Sequence, residues 1–157
     1  MSRSNYLGLY KPKNPQKYRG DVERIVYRSS YEFKFMKYLD DHPAILEWAS
    51  EPFGIPYYCQ VRKNNHRYFP DFWIKKQTTD GTIQIDLIEI KPAYETKPPV
   101  VREGKDSVKT RKRLLREAAT YIINQSKWEA AKAYCKQRGW NFVILTEYDL
   151  GIANGKQ

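Results

Sequence analysis

Two runs of β-forming residues joined by a short turn constrain the fold of this chain more than any other feature. The runs cover residues 66–74 and 82–91, and the turn-forming sequence Thr-Thr-Asp-Gly occupies 78–81 between them. Asp-Gly is a strong hairpin signal, so we expect the two runs to pair in an antiparallel hairpin. Asp71 and Glu89 lie at equal distances from Asp80, within that turn. Regular pairing therefore places Asp71 directly opposite Glu89 on one face.

These two opposed carboxylates destabilise the folded state unless another group compensates for their negative charge. The face on which they lie is otherwise apolar, and carries Ile83, Ile85, Leu87, Phe69 and Trp73. Two carboxylates repel each other across a strand pair, and burial makes their ionised forms costlier still. Lys91 follows two residues after Glu89 on the same side and can offset one charge. A divalent cation would offset the other, and oxygen-only ligands suit Mg²⁺ or Mn²⁺.

A third acid, Glu32, lies on a predicted helix that begins near Ser29 and ends before Pro43. It shares one side of that helix with the apolar residues, which are Phe35, Met36 and Leu39. This placement directs Glu32 toward the sheet, where it can join the acid pair. The alternative is a structural role, because Ser29 and Glu32 have the spacing of a capping box. One carboxylate cannot serve both roles fully.

The remaining sequence patterns indicate an α/β domain. We expect a helical turn at 43–49, a strand at 55–61 and a turn at Asn64-Asn65. A helix at 105–124 has one apolar side, with Val108, Leu115 and Ile122. A second helix at 126–138 begins with a Ser126–Glu129 capping box and ends at Gly139. An apolar run at 141–146 is short enough for a buried strand. The order predicts a central mixed β-sheet flanked by helices.

The chain of 157 residues has the size of one compact domain. Residues 1–28 are rich in Lys, Pro and Tyr, and are predicted as a basic N-terminal arm. The folded domain is expected to span 29–150, and 151–157 to form a short tail. The arm can lie over the core, follow a phosphate backbone or remain solvated. Cys59 and Cys135 have no CxxC spacing, so we expect two buried thiols in a reducing compartment.

An excess of basic residues favours an anionic partner. Lys and Arg number 28 against 18 Asp and Glu, a formal net charge of +10. Nucleic acid is the first expectation and an anionic membrane surface the second, but no apolar run approaches the roughly 20 residues of a spanning helix. The predicted nucleic-acid contacts lie in the arm and within the basic stretch 102–116: Lys11, Lys13, Lys17, Arg19, Lys109, Arg111, Lys112, Arg113 and Arg116. The alternative for the basic stretch is a solvated helix face.

The acid-bearing motifs resemble those of a known superfamily. Pro70-Asp71 followed by Glu89-Ile90-Lys91, with Glu32 on an upstream helix, resembles the PD-(D/E)XK nucleases. A second set of segments extends over most of the chain: Gly8-Leu-Tyr-Lys-Pro-Lys-Asn-Pro-Gln-Lys-Tyr18, Arg67-Tyr-Phe-Pro-Asp-Phe72, Ile88-Glu-Ile-Lys-Pro92, Asn124-Gln-Ser-Lys-Trp-Glu-Ala-Ala131 and Gly139-Trp-Asn-Phe142. In these segments the chain resembles the head completion nucleases of large contractile-tailed phages.

The superfamily resemblance implies a restriction-endonuclease-like core that hydrolyses phosphodiester bonds in DNA with Mg²⁺ or Mn²⁺. It implies that Asp71, Glu89 and the carbonyl of Ile90 ligate the metal. Glu32 would contribute directly or through water. Lys91 would orient or deprotonate the attacking water, or stabilise charge on the phosphate. These implied roles make Glu32, Asp71, Glu89 and Lys91 the candidate catalytic residues.

The family resemblance implies a role in head completion after DNA packaging. It implies a location in the host-cell cytoplasm during assembly, association with the virion, and capsid, portal or neck proteins as partners. Two alternatives stay open. A non-catalytic DNA-binding or capsid-plug protein would keep the nuclease fold without cleaving DNA. A junction-resolving nuclease would share the chemistry, but would need a symmetric dimer to cut two strands.

Overall fold

The computed structural model describes residues 8–101, 104 and 107–151. The described strands and helices are β1 (Gly8–Leu9), β2 (Val26–Tyr27), α1 (Ser30–Asp41), β3 (Ile45–Ser50), β4 (Ile55–Cys59), β5 (Asn64–Tyr68), β6 (Phe72–Gln77), β7 (Ile83–Ile90), α2 (Val108–Arg138) and β8 (Asn141–Leu145). Short 3₁₀ turns occupy Pro15–Lys17, Val22–Arg24 and Ala93–Thr96. Within these ranges no helix is both long and apolar enough to cross a membrane.

A four-stranded mixed sheet in the order β3-β6-β7-β8 forms the centre of the molecule. Strand β6 is antiparallel to both β3 and β7, whereas β8 is parallel to β7. The β6–β7 pairing runs from Phe72 opposite Ile88 to Gln77 opposite Ile83, which is the predicted register. The predicted α/β class with a central mixed sheet is therefore confirmed. Two smaller sheets, β1–β2 and β4–β5, lie beside it.

The central sheet separates two hydrophobic cores, each built with one of the helices. The core on the α1 side includes Phe35, Met36, Leu39, Phe72 and Ile88. The core on the α2 side includes Trp128, Ala131, Cys135, Trp73 and Leu87. Successive strand residues point to opposite faces, so Phe72 and Trp73 belong to different cores. Cys59 and Cys135 are buried thiols outside any disulfide, as predicted.

The described part of the N-terminal arm lies over the α1-side core. Tyr10 and Ile25 are buried there. The Tyr10 hydroxyl donates to Oδ2 of Asp40 at 2.8 Å, and the backbone N–H groups of Lys13 and Asn14 donate to the same carboxylate at 2.7 and 3.0 Å. Three placements of the arm were considered: over the core, along a phosphate backbone, or in solvent. Residues 8–28 lie over the core. Residues 1–7 lie outside the described ranges.

The helical turn predicted at 43–49 is wrong, because this segment forms β3. Ile45 and Trp48 are buried in the α1-side core, and Ala49 is buried in the α2-side core. Strand β3 pairs with β6 down to Ser50 opposite Phe72. Pairing along this edge and burial on both faces outweigh the local turn signals that favoured a helix.

The strand predicted at 66–74 is interrupted, and this interruption matters for the acids. Its first part belongs to β5 and pairs with β4, whereas its second part begins β6 at Phe72. Pro70 lies in the break, because proline has no N–H to donate to a ladder. Asn64 and Asn65 are paired strand residues rather than the predicted turn. The strand predicted at 55–61 ends earlier, at Cys59.

The two helices predicted at 105–124 and 126–138 form one helix of 31 residues, α2. Ser126 does not cap a helix, since its hydroxyl donates to the carbonyl of Ile122 within the same helix, at 3.1 Å. The N-cap is Ser107, and Gly139 ends the helix with a φ of 71°, as predicted. The apolar side of the first half is exposed rather than packed. The predicted start at residue 105 lies outside the described ranges.

Candidate active site

A surface cleft of about 580 Å³ opens at the ends of the central strands. Four parts of the chain line it: Glu32 at the start of α1, Glu51 after β3, Asp71 before β6 and Lys91 after β7. Glu89 is buried beside Lys91. These five residues are called the carboxylate site below. The fold thus brings the predicted residues Glu32, Asp71, Glu89 and Lys91 into one region.

Asp71 is held in place from both neighbouring strands. Its Oδ2 accepts a hydrogen bond from the N–H of Ile90 at 2.7 Å, and its carbonyl accepts one from the N–H of Glu51 at 2.9 Å. The β6–β7 register, continued by one residue, sets Asp71 across from Glu89. Burial, and then the charge of Glu89, raise the pKa of Asp71 well above its usual range, although the Ile90 N–H favours the carboxylate.

Glu89 is the most enclosed acid of the carboxylate site, with 5% of its surface exposed. The Tyr68 hydroxyl donates to its Oε2, and Nζ of Lys91 lies 3.7 Å from its Oε1. Burial raises the pKa of Glu89 even though Tyr68, Lys91 and Lys127 all favour the ionised form. Two acids with raised pKa values therefore face each other at the end of the β6–β7 hairpin.

Glu32 combines the two placements considered for it. Its N–H donates to the Ser29 hydroxyl at 3.0 Å, while its Oε2 accepts from that hydroxyl and from the N–H of Arg28, each at 3.2 Å. The Ser29 N-cap is therefore formed, but the Glu32 carboxylate accepts from the Arg28 N–H instead of the Ser29 N–H that a complete capping box uses. The same side chain lines the cleft, and burial raises its pKa. Glu32 also contributes to the raised pKa of Asp71.

Glu51 and Arg28 complete the cleft and were not predicted. Oε1 of Glu51 lies 2.8 Å from Nη1 of Arg28. Glu51 has a φ of 45°, in the left-handed region that non-glycine residues rarely adopt. Such strain often accompanies functional sites. Glu51 was missed because residues 43–49 were predicted as a helical turn. A predicted strand ending at Ser50 would have placed the next residue, Glu51, beside Asp71.

Tyr68 and Lys127 lie on the α2 side of Glu89, and sequence reasoning missed both. Nζ of Lys127 is 5.9 Å from the centre of the Tyr68 ring. Burial lowers the pKa of Lys127, and the charge of Lys91 lowers it further. The predicted capping box at Ser126 assigned this part of α2 to a helix start. Only the continuous helix shows that Lys127 faces the sheet.

A larger cavity of about 710 Å³ lies on the α1 side of the sheet and differs in character. Its lining is mostly apolar, and its buried acid is Asp86, which has 1% of its surface exposed. Oδ2 of Asp86 lies 2.9 Å from Nζ of Lys76, and Gln84 and Asn141 donate to Oδ1 at 3.0 Å. Asp86 is therefore satisfied within the fold by a cation and two amides, whereas Asp71 and Glu89 face each other.

The carboxylate site offers the donor chemistry that a hard divalent cation requires. No group of three or more His, Cys, Asp or Glu side chains in the described part of the chain is already arranged to hold a metal ion. Asp71 and Glu89 nevertheless supply carboxylate oxygens from opposite strands, and Lys91 is the one described cation within 4 Å of either. Oxygen ligands with uncompensated negative charge fit Mg²⁺ or Mn²⁺.

The predicted nucleic-acid contacts fall into two groups. In the arm, Lys11, Lys13 and Arg19 are exposed, but Nζ of Lys17 donates to the carbonyls of Asp40 and His42 at 2.8 and 2.9 Å and so secures the end of α1. On α2 the basic side chains are exposed: Lys109, Arg111, Lys112, Arg113 and Arg116. Arg113 approaches Glu117 at 3.7 Å. Arg102 and Lys105 of the basic stretch lie outside the described ranges.

Comparisons with known proteins place this geometry in context. The family model described as TnsA-like endonuclease N terminal matches residues 42–147, which include β3 to β8 and α2. Over 142 residues the chain is 43% identical to the head completion nuclease of Enterobacteria phage T4. That alignment covers 90% of this chain and 91% of the phage T4 protein. The similarity extends through nearly all the elements that build the carboxylate site.

Proposed function

The chain belongs to the families of TnsA-like endonucleases and phage head completion nucleases, and on that premise we propose that it cleaves DNA by metal-dependent phosphodiester hydrolysis at the carboxylate site. One observation carries the proposal. Asp71 and Glu89 are opposed, largely buried acids whose pKa values are raised, beside Lys91 at a cleft. A fold that needed only stability gains nothing from opposing two such acids, and strongly perturbed acids in clefts are characteristic of reactive sites.

Four residues of the carboxylate site have distinct tasks in this proposal. Asp71 and Glu89 would hold Mg²⁺ or Mn²⁺, with the Ile90 carbonyl as a further ligand and Glu32 acting directly or through water. When bound, such an ion would supply polarisation of a phosphate oxygen, acidification of the attacking water and stabilisation of the leaving oxygen. Lys91 would orient that water or balance negative charge on the phosphate as an ammonium, or would help to deprotonate the water as a neutral amine. Tyr68 fixes the Glu89 carboxylate through its hydrogen bond.

The cleavage assay compares linear duplex, single-stranded and branched DNA, with Mg²⁺ or with excess EDTA. We expect cleavage by the wild-type protein in Mg²⁺, and loss of cleavage in Asp71→Ala, in Lys91→Ala and in EDTA. The matched controls are Asp41→Ala and Lys37→Ala, exposed positions on α1, and both should cleave normally. Circular dichroism of each variant confirms that the fold is intact. Full activity in both site variants, or undiminished activity in EDTA, contradicts the proposal.

The same assay decides between this enzyme and its alternatives. A capsid-plug protein would bind DNA without cleaving any of the three substrates. A junction-resolving nuclease would prefer branched DNA and behave as a dimer when its mass is measured in solution. The raised pKa values of Asp71 and Glu89 favour the nuclease, because a protein that only plugs the capsid does not require two opposed, buried acids.

The biological setting is proposed from the same relationship. The phage T4 relative is named for head completion, and we place this nuclease at that stage, after DNA packaging, in the host-cell cytoplasm and then on the virion. Its DNA would be held by the exposed arm residues Lys11, Lys13 and Arg19 and by the basic side chains of α2, which contact phosphates rather than read sequence. Capsid, portal or neck proteins would be its protein partners.

A further inference from the structure

Lys127 occupies an unusual position for a lysine on a helix. It lies beside the stripe of α2 that is buried in the α2-side core, formed by Asn124, Trp128 and Ala131. The side chain is half-buried, and Nζ stands 5.9 Å from the centre of the Tyr68 ring. Since the Tyr68 hydroxyl donates to Glu89, one side chain separates the Lys127 ammonium from the carboxylate site.

The charges around Lys127 do not account for its burial. No carboxylate in the described part of the chain lies within ion-pairing distance of Nζ, and the charges of Lys91 and Arg62 both oppose its own. Glu89 attracts it, but Glu89 already accepts a hydrogen bond from Tyr68 and lies 3.7 Å from Lys91. A half-buried cation near two others is costly unless an anion joins them.

Arg62 is presented by a turn with a fixed backbone. It lies in the loop between β4 and β5, where the N–H of Lys63 donates to the carbonyl of Cys59 at 2.8 Å. The N–H of Arg62 itself donates to the buried Sγ of Cys59 at 3.4 Å. The Arg62 side chain is exposed, and no carboxylate in the described ranges pairs with it. The turn thus holds one exposed guanidinium near enough to Lys127 for the two charges to repel each other.

We infer that Lys127 and Arg62 bind the phosphate backbone of the DNA strand next to the bond that is cut, in addition to the role proposed for Lys91. The inference rests on the proposed function and extends it to two residues on α2 and the β4–β5 turn. The phosphodiester groups of DNA fit these cations, because they repeat along the strand. Neighbouring phosphates of one strand can therefore contact Lys127 and Arg62 separately. Arg62 suits it with a planar fork and Lys127 with a compact ammonium.

The test measures DNA binding without cleavage. Every protein carries Asp71→Asn, and the dissociation constant for a linear duplex is measured over a series of salt concentrations. Lys127→Met keeps the aliphatic stem over Tyr68 but removes the charge, and Arg62→Met does the same on the turn. Each should weaken binding and lower the slope of log affinity against log salt by about 1. Lys127→Arg should retain most of the affinity and slope.

The matched control is Lys136→Met. This exposed lysine follows Lys127 by nine residues on α2, about two and a half turns, and so lies on the opposite face. Its affinity and slope should equal those of the Asp71→Asn parent. Unchanged affinity and slope in both Lys127→Met and Arg62→Met overturn the inference, and so does an equal loss in Lys136→Met. If the wild type fails to cleave but these slopes fall, the proposed nuclease activity is wrong and the phosphate site stands.

Discussion

The Asp71 carboxylate should cost the protein stability. Its pKa is raised by burial and by Glu89, so the folded state disfavours the ionised form. We expect Asp71→Asn to stabilise the fold at pH 8 by between about 0.5 and 2 kcal/mol, while abolishing cleavage. The gain should shrink as the pH falls and vanish below about pH 4, where Asp71 is protonated in both folded and unfolded chains. Urea unfolding at several pH values measures the difference.

Asp80 provides a control, because its substitution by asparagine should change the stability in the opposite direction to that of Asp71. Hydrogen bonds from Thr78 and Thr82 lower its pKa to about 2, so its ionised form favours the folded state. Asp80→Asn should therefore destabilise the protein at pH 8, and the loss should disappear as the pH falls through that lowered pKa. An Asp71→Asn variant less stable than the wild type at pH 8 would show that the buried acid pair carries no penalty.

The sequence predicted the acids of the site better than their surroundings. Asp71, Glu89 and Lys91 follow from one hairpin, because a turn signal and a two-residue period fix which strand positions are opposed. Glu51 and Lys127 depend on pairing and packing with segments distant along the chain, which local patterns do not encode. Tyr68 was missed for a related reason, since the break at Pro70 separates it from the strand on which it was predicted.

Helix α2 offers a test in which two interpretations predict opposite signs. As the N-cap of a separate helix, Ser126 would stabilise the protein, and its replacement by alanine would cost about 1 kcal/mol. In the continuous helix the Ser126 hydroxyl only bonds back to Ile122. We therefore expect Ser126→Ala to stabilise the protein by about 0.5 kcal/mol, because alanine has the higher helix propensity. Urea unfolding of the variant measures the change.

Ser107 is the matched position for that test. Its hydroxyl accepts a hydrogen bond from the N–H of Thr110 at 3.1 Å, as an N-cap should. Ser107→Ala is expected to cost about 1 kcal/mol. A loss of similar size in Ser126→Ala would contradict the single helix and restore the two shorter ones.

The elements that were predicted wrongly share a cause. Residues 43–49 begin with Pro43 and include Ala, Leu and Glu, which locally favour a helical turn, but Ile45 and Trp48 are fixed by burial and by pairing with β6. The helix start predicted at Ser126 has the right spacing but lies in mid-helix. In both cases tertiary contacts outweigh a local signal of about 1 kcal/mol. Helix α1 and the β6–β7 hairpin were predicted correctly because local and tertiary preferences agree there.

At the scale of the whole molecule, the N-terminal arm and the folded domain meet at Asp40. This residue is completely buried at the end of α1, and its carboxylate accepts hydrogen bonds from Tyr10, Lys13 and Asn14. Its carbonyl accepts from Lys17. Burial alone would raise the pKa of Asp40, but the hydrogen bonds outweigh burial and hold it below its usual value. Part of the positive charge that suggested a DNA partner thus serves the fold.

This anchor should make the protein sensitive to acid. Because the folded pKa of Asp40 is lowered, its contribution is complete above the usual value near pH 4 and is lost as the pH falls through the folded pKa. Asp40→Asn should cost about 1–3 kcal/mol at pH 7, since an amide cannot accept all three hydrogen bonds. The deficit should narrow below pH 4 in urea unfolding. Asp41→Asn, at the exposed neighbour, should change little. A constant deficit between pH 7 and 3 would contradict an ionised anchor.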